Sequence, residues 1–169
     1  CDMRDLDQIN AAVAAINADL GPVDIVINNA GIWHKTGPLD NIAPQMIEDT
    51  IATNLTGTIH LTRAFLPVLR ARPEAAIVNV TSGLAIAPAA RQPVYCATKS
   101  GLRFYSLALR EQLKDTNIRV IEALPPVVDT QMNDGNPMKK MPAEECARQI
   151  VEAIEKDRDE VNIGMTKAL

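Results

Sequence analysis

The chain has 169 residues, 47% of them hydrophobic, which is enough apolar material for one core and one domain. A balance of 17 basic against 21 acidic residues gives a net charge of −4 with no basic run, so nothing in the composition provides an electrostatic footprint for nucleic acid or an anionic membrane surface. No apolar stretch approaches the roughly 18 residues that a bilayer span needs.

No signal peptide is visible. The cysteines Cys1, Cys96 and Cys146 are odd in number and widely spaced, which points to a reducing, cytoplasmic compartment without a disulfide framework. Residues 6–20 carry apolar side chains at Ile9, Val13, Ile16 and Leu20, the spacing of an amphipathic helix, and Gly21-Pro22 stops it. Val23 to Ile27 reads as a parallel strand buried on both faces. It ends in Asn28-Asn29-Ala30-Gly31, which is either a plain turn or a set of amides and backbone groups at a ligand crevice. A loop follows from Ile32 to Ala43, with Gly37 and Pro38 in it. Its bulky members, Trp33 and His34, either pack on the surface or face a substrate. Neither His34 nor His60 has a Cys or carboxylate at metal-ligand spacing, so no metal site is expected.

One long helix is expected from Pro44 to about Ala71, with Ile47, Ile51, Leu55, Ile59 and Leu66 as its buried stripe and Pro67 kinking its last turns. Asn54 sits inside the stripe. A buried amide must find partners or cost about 1–3 kcal/mol, so Asn54 is either a structural amide or part of a polar site. Ala76 to Val80 is a buried strand that breaks into Thr81-Ser82-Gly83. A helix from about Pro93 to Asp115 carries Tyr95 and Lys99 one turn apart on one face. Ser82 lies at a strand's carboxyl end, where open α/β sheets hold their ligands, so Ser82, Tyr95 and Lys99 are expected in one crevice. A phenol ionises near pH 10 and an adjacent ammonium lowers that value, so Tyr95 is expected to exchange a proton with an alcohol or carbonyl oxygen that Ser82 also holds.

Ile118 to Leu124 is a third strand, ending in Pro125-Pro126-Val127-Val128-Asp129-Thr130, a stiff extended turn. Gln131 to Met141 reads as a mobile loop, a lid over the crevice. A helix at Pro142 to Lys156 and a short strand at Val161 to Ile163 complete the chain. The expected fold is α/β, with a mostly parallel, doubly wound sheet and helices on both faces.

Four blocks together, Asn28-Asn29-Ala30-Gly31, Asn54, Ser82 with Tyr95-Cys96-Ala97-Thr98-Lys99, and Pro125 to Thr130, resemble the short-chain dehydrogenases/reductases. They occur in that family's order, and Ser82 precedes Tyr95 by thirteen residues as it does there. The commoner family pattern has Gly where Pro126 stands. The Pro-Pro-x-Val-Asp-Thr variant is similar to a bacterial subgroup labelled DltE-like oxidoreductases. The resemblance implies an NAD- or NADP-dependent enzyme acting on a small carbonyl or alcohol substrate, with a homodimer or homotetramer formed through the two long helices. It implies catalytic roles for Asn54, Ser82, Tyr95 and Lys99, with Asn54 holding a relay water. It implies cofactor contacts from Asp2, Asn28, Ala30, Gly31, Tyr95, Lys99, Pro125, Val128 and Thr130. Substrate would be lined by Trp33, His34, Leu84, Val127 and Met132.

The resemblance covers all 169 residues but only the C-terminal two-thirds of the family's length. No Gly-rich phosphate-binding turn occurs in the sequence. The expectation is that three strands and two helices, roughly 70 residues at about 30 per βαβ unit, would precede Cys1. The Val23–Ile27 strand would then be an apolar edge to be paired by that segment or by another chain. Two other function classes remain open on the sequence alone: an inactive fragment without the pyrophosphate site, and a non-enzymatic binding domain that keeps the motifs.

Overall fold

The computed structural model of the chain describes residues 1–34 and 39–169, with Asp40 described by its backbone alone. Gly37 and Pro38, read as loop, lie outside the described residues. Four parallel strands, β1 (Ile25–Asn28), β2 (Ala75–Val80), β3 (Ile118–Leu124) and β4 (Glu160–Asn162), form one sheet in the order β1-β2-β3-β4. Register is continuous from Ile27 opposite Val78 to Val78 opposite Ile121. Helices α1 (Leu6–Asp19), α2 (Pro44–Ile51), α3 (Gly57–Arg70), α4 (Pro93–Leu113) and α5 (Ala143–Glu155) supply the layers.

The faces divide by side-chain alternation. Val26, Ile77 and Val120 point to one face, where Val13 of α1, Phe65 and Leu69 of α3, and Leu109 and Leu113 of α4 close over them. Val78 and Ile121 point to the other, under Ile150 and Ile154 of α5. Asp5 caps α1, its carboxylate accepting from the Asp7 and Gln8 amides at 3.0 Å each, while Gln8 Nε2 returns a bond to the same carboxylate at 2.9 Å.

Two expectations change. First, β1 is not buried on both faces. Val26 and Asn28 are buried, but Ile25 and Ile27 are 45% and 50% exposed. Among the described residues α5 covers that face over β2 and β3 only, and β1 is the edge. Second, the helix from Pro44 is interrupted by a π turn at Ala52–Thr56, where the Gly57 amide donates to the Ala52 carbonyl. The extra residue turns the next segment relative to the first, so the buried stripe is Thr50, Asn54, Thr58, Thr62, Phe65 and Leu69, and Ile51 is 41% exposed. The helix then runs through Pro67 to Arg70, close to the expected end at Ala71.

Candidate active site

Two elements converge at the carboxyl end of β2. Thr81 anchors the strand end: its amide donates to Ala123 O at 2.8 Å and its hydroxyl to Glu122 Oε1 at 2.8 Å. Ser82 follows in extended backbone, and its Oγ accepts from the Leu84 amide at 3.1 Å, capping a 3₁₀ turn at Gly83–Ala85. Opposite, α4 starts with Pro93 in its first turn, where a missing N–H costs nothing. Tyr95 and Lys99 leave α4 on the same side. Lys99 is 4% exposed, its Nζ donates to Val80 O at 2.8 Å and stands 5.7 Å from the centroid of the Tyr95 ring.

Burial sets the protonation of both groups. It pushes the Tyr95 phenol up to about 12, against a hydrogen bond with the Ser82 side chain that pulls it down. It pulls the Lys99 ammonium down to about 8. The expectation that Lys99 lowers the Tyr95 value is therefore corrected: the phenol stays protonated through the neutral range, because desolvation outweighs the Ser82 bond.

Asn54 is fully buried in the π turn. Its Oδ1 accepts from the Ile32 amide at 2.7 Å, and its Nδ2 donates to Ile32 O at 2.9 Å and to Thr98 Oγ1 at 3.2 Å. Asn54 thereby ties the Asn28–Gly31 turn to α4, one residue from Lys99. A Cβ added at Gly31 would stand 3.4 Å from Asn54 Oδ1 and 3.7 Å from Lys99 Nζ, so glycine keeps the approach to that ammonium open.

A cavity of about 280 Å³ opens beside Ser82 and Tyr95. Trp33, Leu84, Val127 and Met132 line it, as the sequence suggested for substrate contacts. His34 does not; it lies with Trp33 and Tyr95 on a small cleft behind. Sequence reading missed Gln92, Asn136, Met138 and Met165, which also line the cavity. No periodic signal marks them, because they come from irregular segments. Nor did the sequence show Thr98 and Val80 as the partners of Asn54 and Lys99.

The other candidate positions scatter. Asn28 turns away from the crevice into a buried polar row, its Nδ2 donating to Asn79 Oδ1 at 2.8 Å and to Thr62 Oγ1 at 3.0 Å. Ala30 is exposed and Gly31 half-buried at the mouth. Asp2 pairs with Arg4 at 2.7 Å near the start of α1. Pro125 lines the cavity; Val128 packs on Ala123 and Cys146, and Thr130 is exposed at the start of a 3₁₀ turn. The loop of residues 131–141 is closed at its base, Met141 N donating to Val127 O and Asp129 N to Met141 O, both at 2.8 Å.

The arrangement suits one half of a dinucleotide. Among the described residues the buried Lys99 ammonium has one hydrogen-bond acceptor, Val80 O, so it keeps donor capacity for ligand hydroxyls such as those of a ribose. Among the described residues no helix is long and apolar enough to cross a membrane.

The profile of the short chain dehydrogenase family matches residues 1–140. The uncharacterized oxidoreductase DltE of Bacillus subtilis is 36% identical over 168 residues, 95% of this chain and 67% of that protein. The NADP-dependent 3-hydroxy acid dehydrogenase of Schizosaccharomyces pombe is 33% identical over 78% of this chain and 51% of its own length, so the chain spans between half and two-thirds of these relatives. A Burkholderia cenocepacia short chain dehydrogenase solved with NADP superposes with a TM-score of 0.90 at 28% identity, over 99% of this chain and 71% of that one. The Brucella melitensis 3-ketoacyl-(acyl-carrier-protein) reductase solved with NADH gives 0.83 at 27% identity, over 90% and 68%. With its parallel sheet, its Ser82–Tyr95–Lys99 crevice and a family match over most of its length, this chain belongs to the short-chain dehydrogenase family.

Proposed function

We propose that the protein carrying this chain is an oxidoreductase that uses NAD or NADP to interconvert a small carbonyl compound and its alcohol. The observation that carries the reading is that Ser82 and Tyr95 line one cavity side by side, with the buried Lys99 ammonium 5.7 Å from the centre of the Tyr95 ring. Relatives named as NADP-dependent dehydrogenases, and solved relatives holding NADP or NADH, support the cofactor class.

When bound, the nicotinamide supplies or accepts the hydride; the chain handles the proton and the geometry. Tyr95 donates its phenolic proton to the developing alkoxide during reduction and takes it back during oxidation. Ser82 donates a hydrogen bond to the same oxygen, fixing the carbonyl and favouring charge on it. Lys99 holds positive charge beside the phenol and binds ribose hydroxyls through its free donors. Gly31, Pro125, Val128 and Thr130 would border the nicotinamide end, with Ala30 and Asp2 further along the dinucleotide. Asn28 would act through the shape of its turn, since its amide donors are engaged in the sheet. Both Nδ2 protons of Asn54 are used, so a relay water would bond to its Oδ1 or to nearby backbone carbonyls.

The loop of residues 131–141 would close over substrate. Exposed Met46, Ile51, Phe104 and Leu107 on α2 and α4 are the apolar surface for a homodimer or homotetramer. Turnover of carbonyl compounds, followed by nicotinamide absorbance, tests the whole reading. Tyr95→Phe should lower kcat by about 10²–10⁴ with the fold retained, a typical loss for a missing general acid. Near-normal rates in that variant would refute the assignment.

A further inference from the structure

Among the described residues none of the side chains lining the cavity beside Tyr95 is Asp, Glu, Lys, Arg or His. Its neutral polar groups, Ser82 and the Tyr95 phenol, sit where the reacting oxygen would. Away from them most of the wall is apolar, with Leu84, Val127, Met132, Met138 and Met165, interrupted by the uncharged side chains of Gln92, Asn133, Asn136 and Thr166. The nearby charges are turned elsewhere. Asp129 and Lys140 pair with each other at 3.4 Å, and neither they nor Arg91 line the cavity. A carboxylate held here would give up hydration with no cation among the described lining residues to replace it. An aliphatic chain would instead trade water for thioether and branched carbon surfaces, and flexible Met side chains adapt to chains of differing shape. A cavity of about 280 Å³ leaves room for a chain of several carbons beside the reacting carbonyl.

We infer that this cavity selects an uncharged aliphatic ketone or aldehyde of intermediate chain length and rejects oxo acids of the same length. This deepens the oxidoreductase reading and rests on it for the word substrate, but the binding preference stands on the cavity alone. It also separates this chain from the S. pombe relative, which is named for a 3-hydroxy acid.

Trp33 is the one tryptophan of the sequence and lines the cavity, so its emission reads occupancy without turnover. Octan-2-one and 7-oxooctanoate share a chain of eight carbons and a methyl ketone and differ by a terminal carboxylate. Titrated into the purified protein, octan-2-one should change the Trp33 emission saturably and 7-oxooctanoate should bind at least tenfold more weakly. Trp33→Phe should abolish the signal, and Met132→Lys should narrow or reverse the preference. Equal or tighter binding of 7-oxooctanoate, or no saturable response to octan-2-one, overturns the inference. Reduction of octan-2-one is measured in parallel. Selective binding without reduction would sink the oxidoreductase reading and leave the inference standing. Reduction of both ketones at equal efficiency would do the reverse.

Discussion

The Nζ of Lys99 donates to the carbonyl oxygen of Val80 at 2.8 Å, pinning helix α4 to the end of strand β2 through a buried ammonium. Burial lowers that group from 10.5 to about 8. A base whose folded value is depressed contributes stability above its unfolded value and loses it as pH falls through the folded one. The wild type should therefore gain roughly 3 kcal/mol between pH 8 and pH 10.5 from this group, since each tenfold change in proton affinity is worth about 1.4 kcal/mol. Lys99→Met lacks that gain. Urea denaturation should show its stability, relative to wild type, to be more favourable at pH 7 than at pH 10. A difference independent of pH would mean that Lys99 is solvated.

The same burial predicts the pH dependence of turnover. With the phenol near 12 and the ammonium near 8, the reductive direction should be flat in kcat/KM below about pH 8 and fall above it as Lys99 loses its proton. Residual activity in Lys99→Arg should lose that limb, because guanidinium stays charged. A profile still falling near pH 8 in that variant would assign the ionisation to another group.

Much of this was legible beforehand, and the reasons differ by residue. The strand at Ala75–Val80 is apolar but for Asn79, and the i, i+4 spacing of Tyr95 and Lys99 follows from helix geometry alone. The π turn at Ala52–Thr56 was not legible, because it depends on Asn54 reaching Ile32 and Thr98, contacts 22 and 44 residues away in sequence. That shift also explains the changed stripe: Thr50, Thr58 and Thr62 are buried because small side chains let α2 and α3 lie close to their neighbours, Ile47, Leu55, Ile59 and Leu66 are half-buried, and Ile51 is pushed outward. The Tyr95 ionisation was misjudged for a related reason. Proximity to Lys99 can be read from spacing, but the extent of burial cannot.

Glu122 offers a test of how the crevice is held. It is fully buried, accepts from Thr81 Oγ1 at 2.8 Å and pairs with Arg103 Nη1 at 2.6 Å; Arg103 also reaches Glu160 at 3.0 Å. Thr81 precedes Ser82, and Arg103 lies one turn beyond Lys99, so the network joins both sides of the site. Glu122→Ala removes a partner from Arg103, which keeps Glu160, and from the Thr81 hydroxyl, which keeps Ala123 O, and should cost about 1–3 kcal/mol by urea denaturation. Glu122→Gln keeps an acceptor for Thr81 and should cost less. Burial raises the Glu122 carboxyl above its ordinary 4.5, against the pull of Thr81 and Arg103. An acid raised on folding stabilises below its ordinary value and loses that contribution as pH rises through the folded one. The wild type should thus lose stability relative to Glu122→Gln as pH rises above 4.5. An unchanged difference across pH would show that the carboxylate is solvated.

Two glycines separate rigid from yielding contacts. A Cβ at Gly57 would stand 2.1 Å from the Met3 carbonyl oxygen and 3.0 Å from that of Ala52. Both are backbone atoms, and the segment containing Met3 is held by the Asp5 N–H donating to Asp2 O at 3.1 Å. Neither can rotate away, so Gly57→Ala must shift α3 or the start of the chain, and overpacking of this kind costs about 1–3 kcal/mol or more. At Gly101 the nearest atom is Leu55 Cδ2 at 3.1 Å, the end of a side chain that can change rotamer. There the gain in helix propensity, up to about 1 kcal/mol, offsets the contact, and Gly101→Ala should be close to neutral. Parallel urea titrations of the two variants decide it. Equal stability of Gly57→Ala and wild type would mean that the segment before α1 does not pack on α3, and would remove the support for Asp2 lying beside this domain.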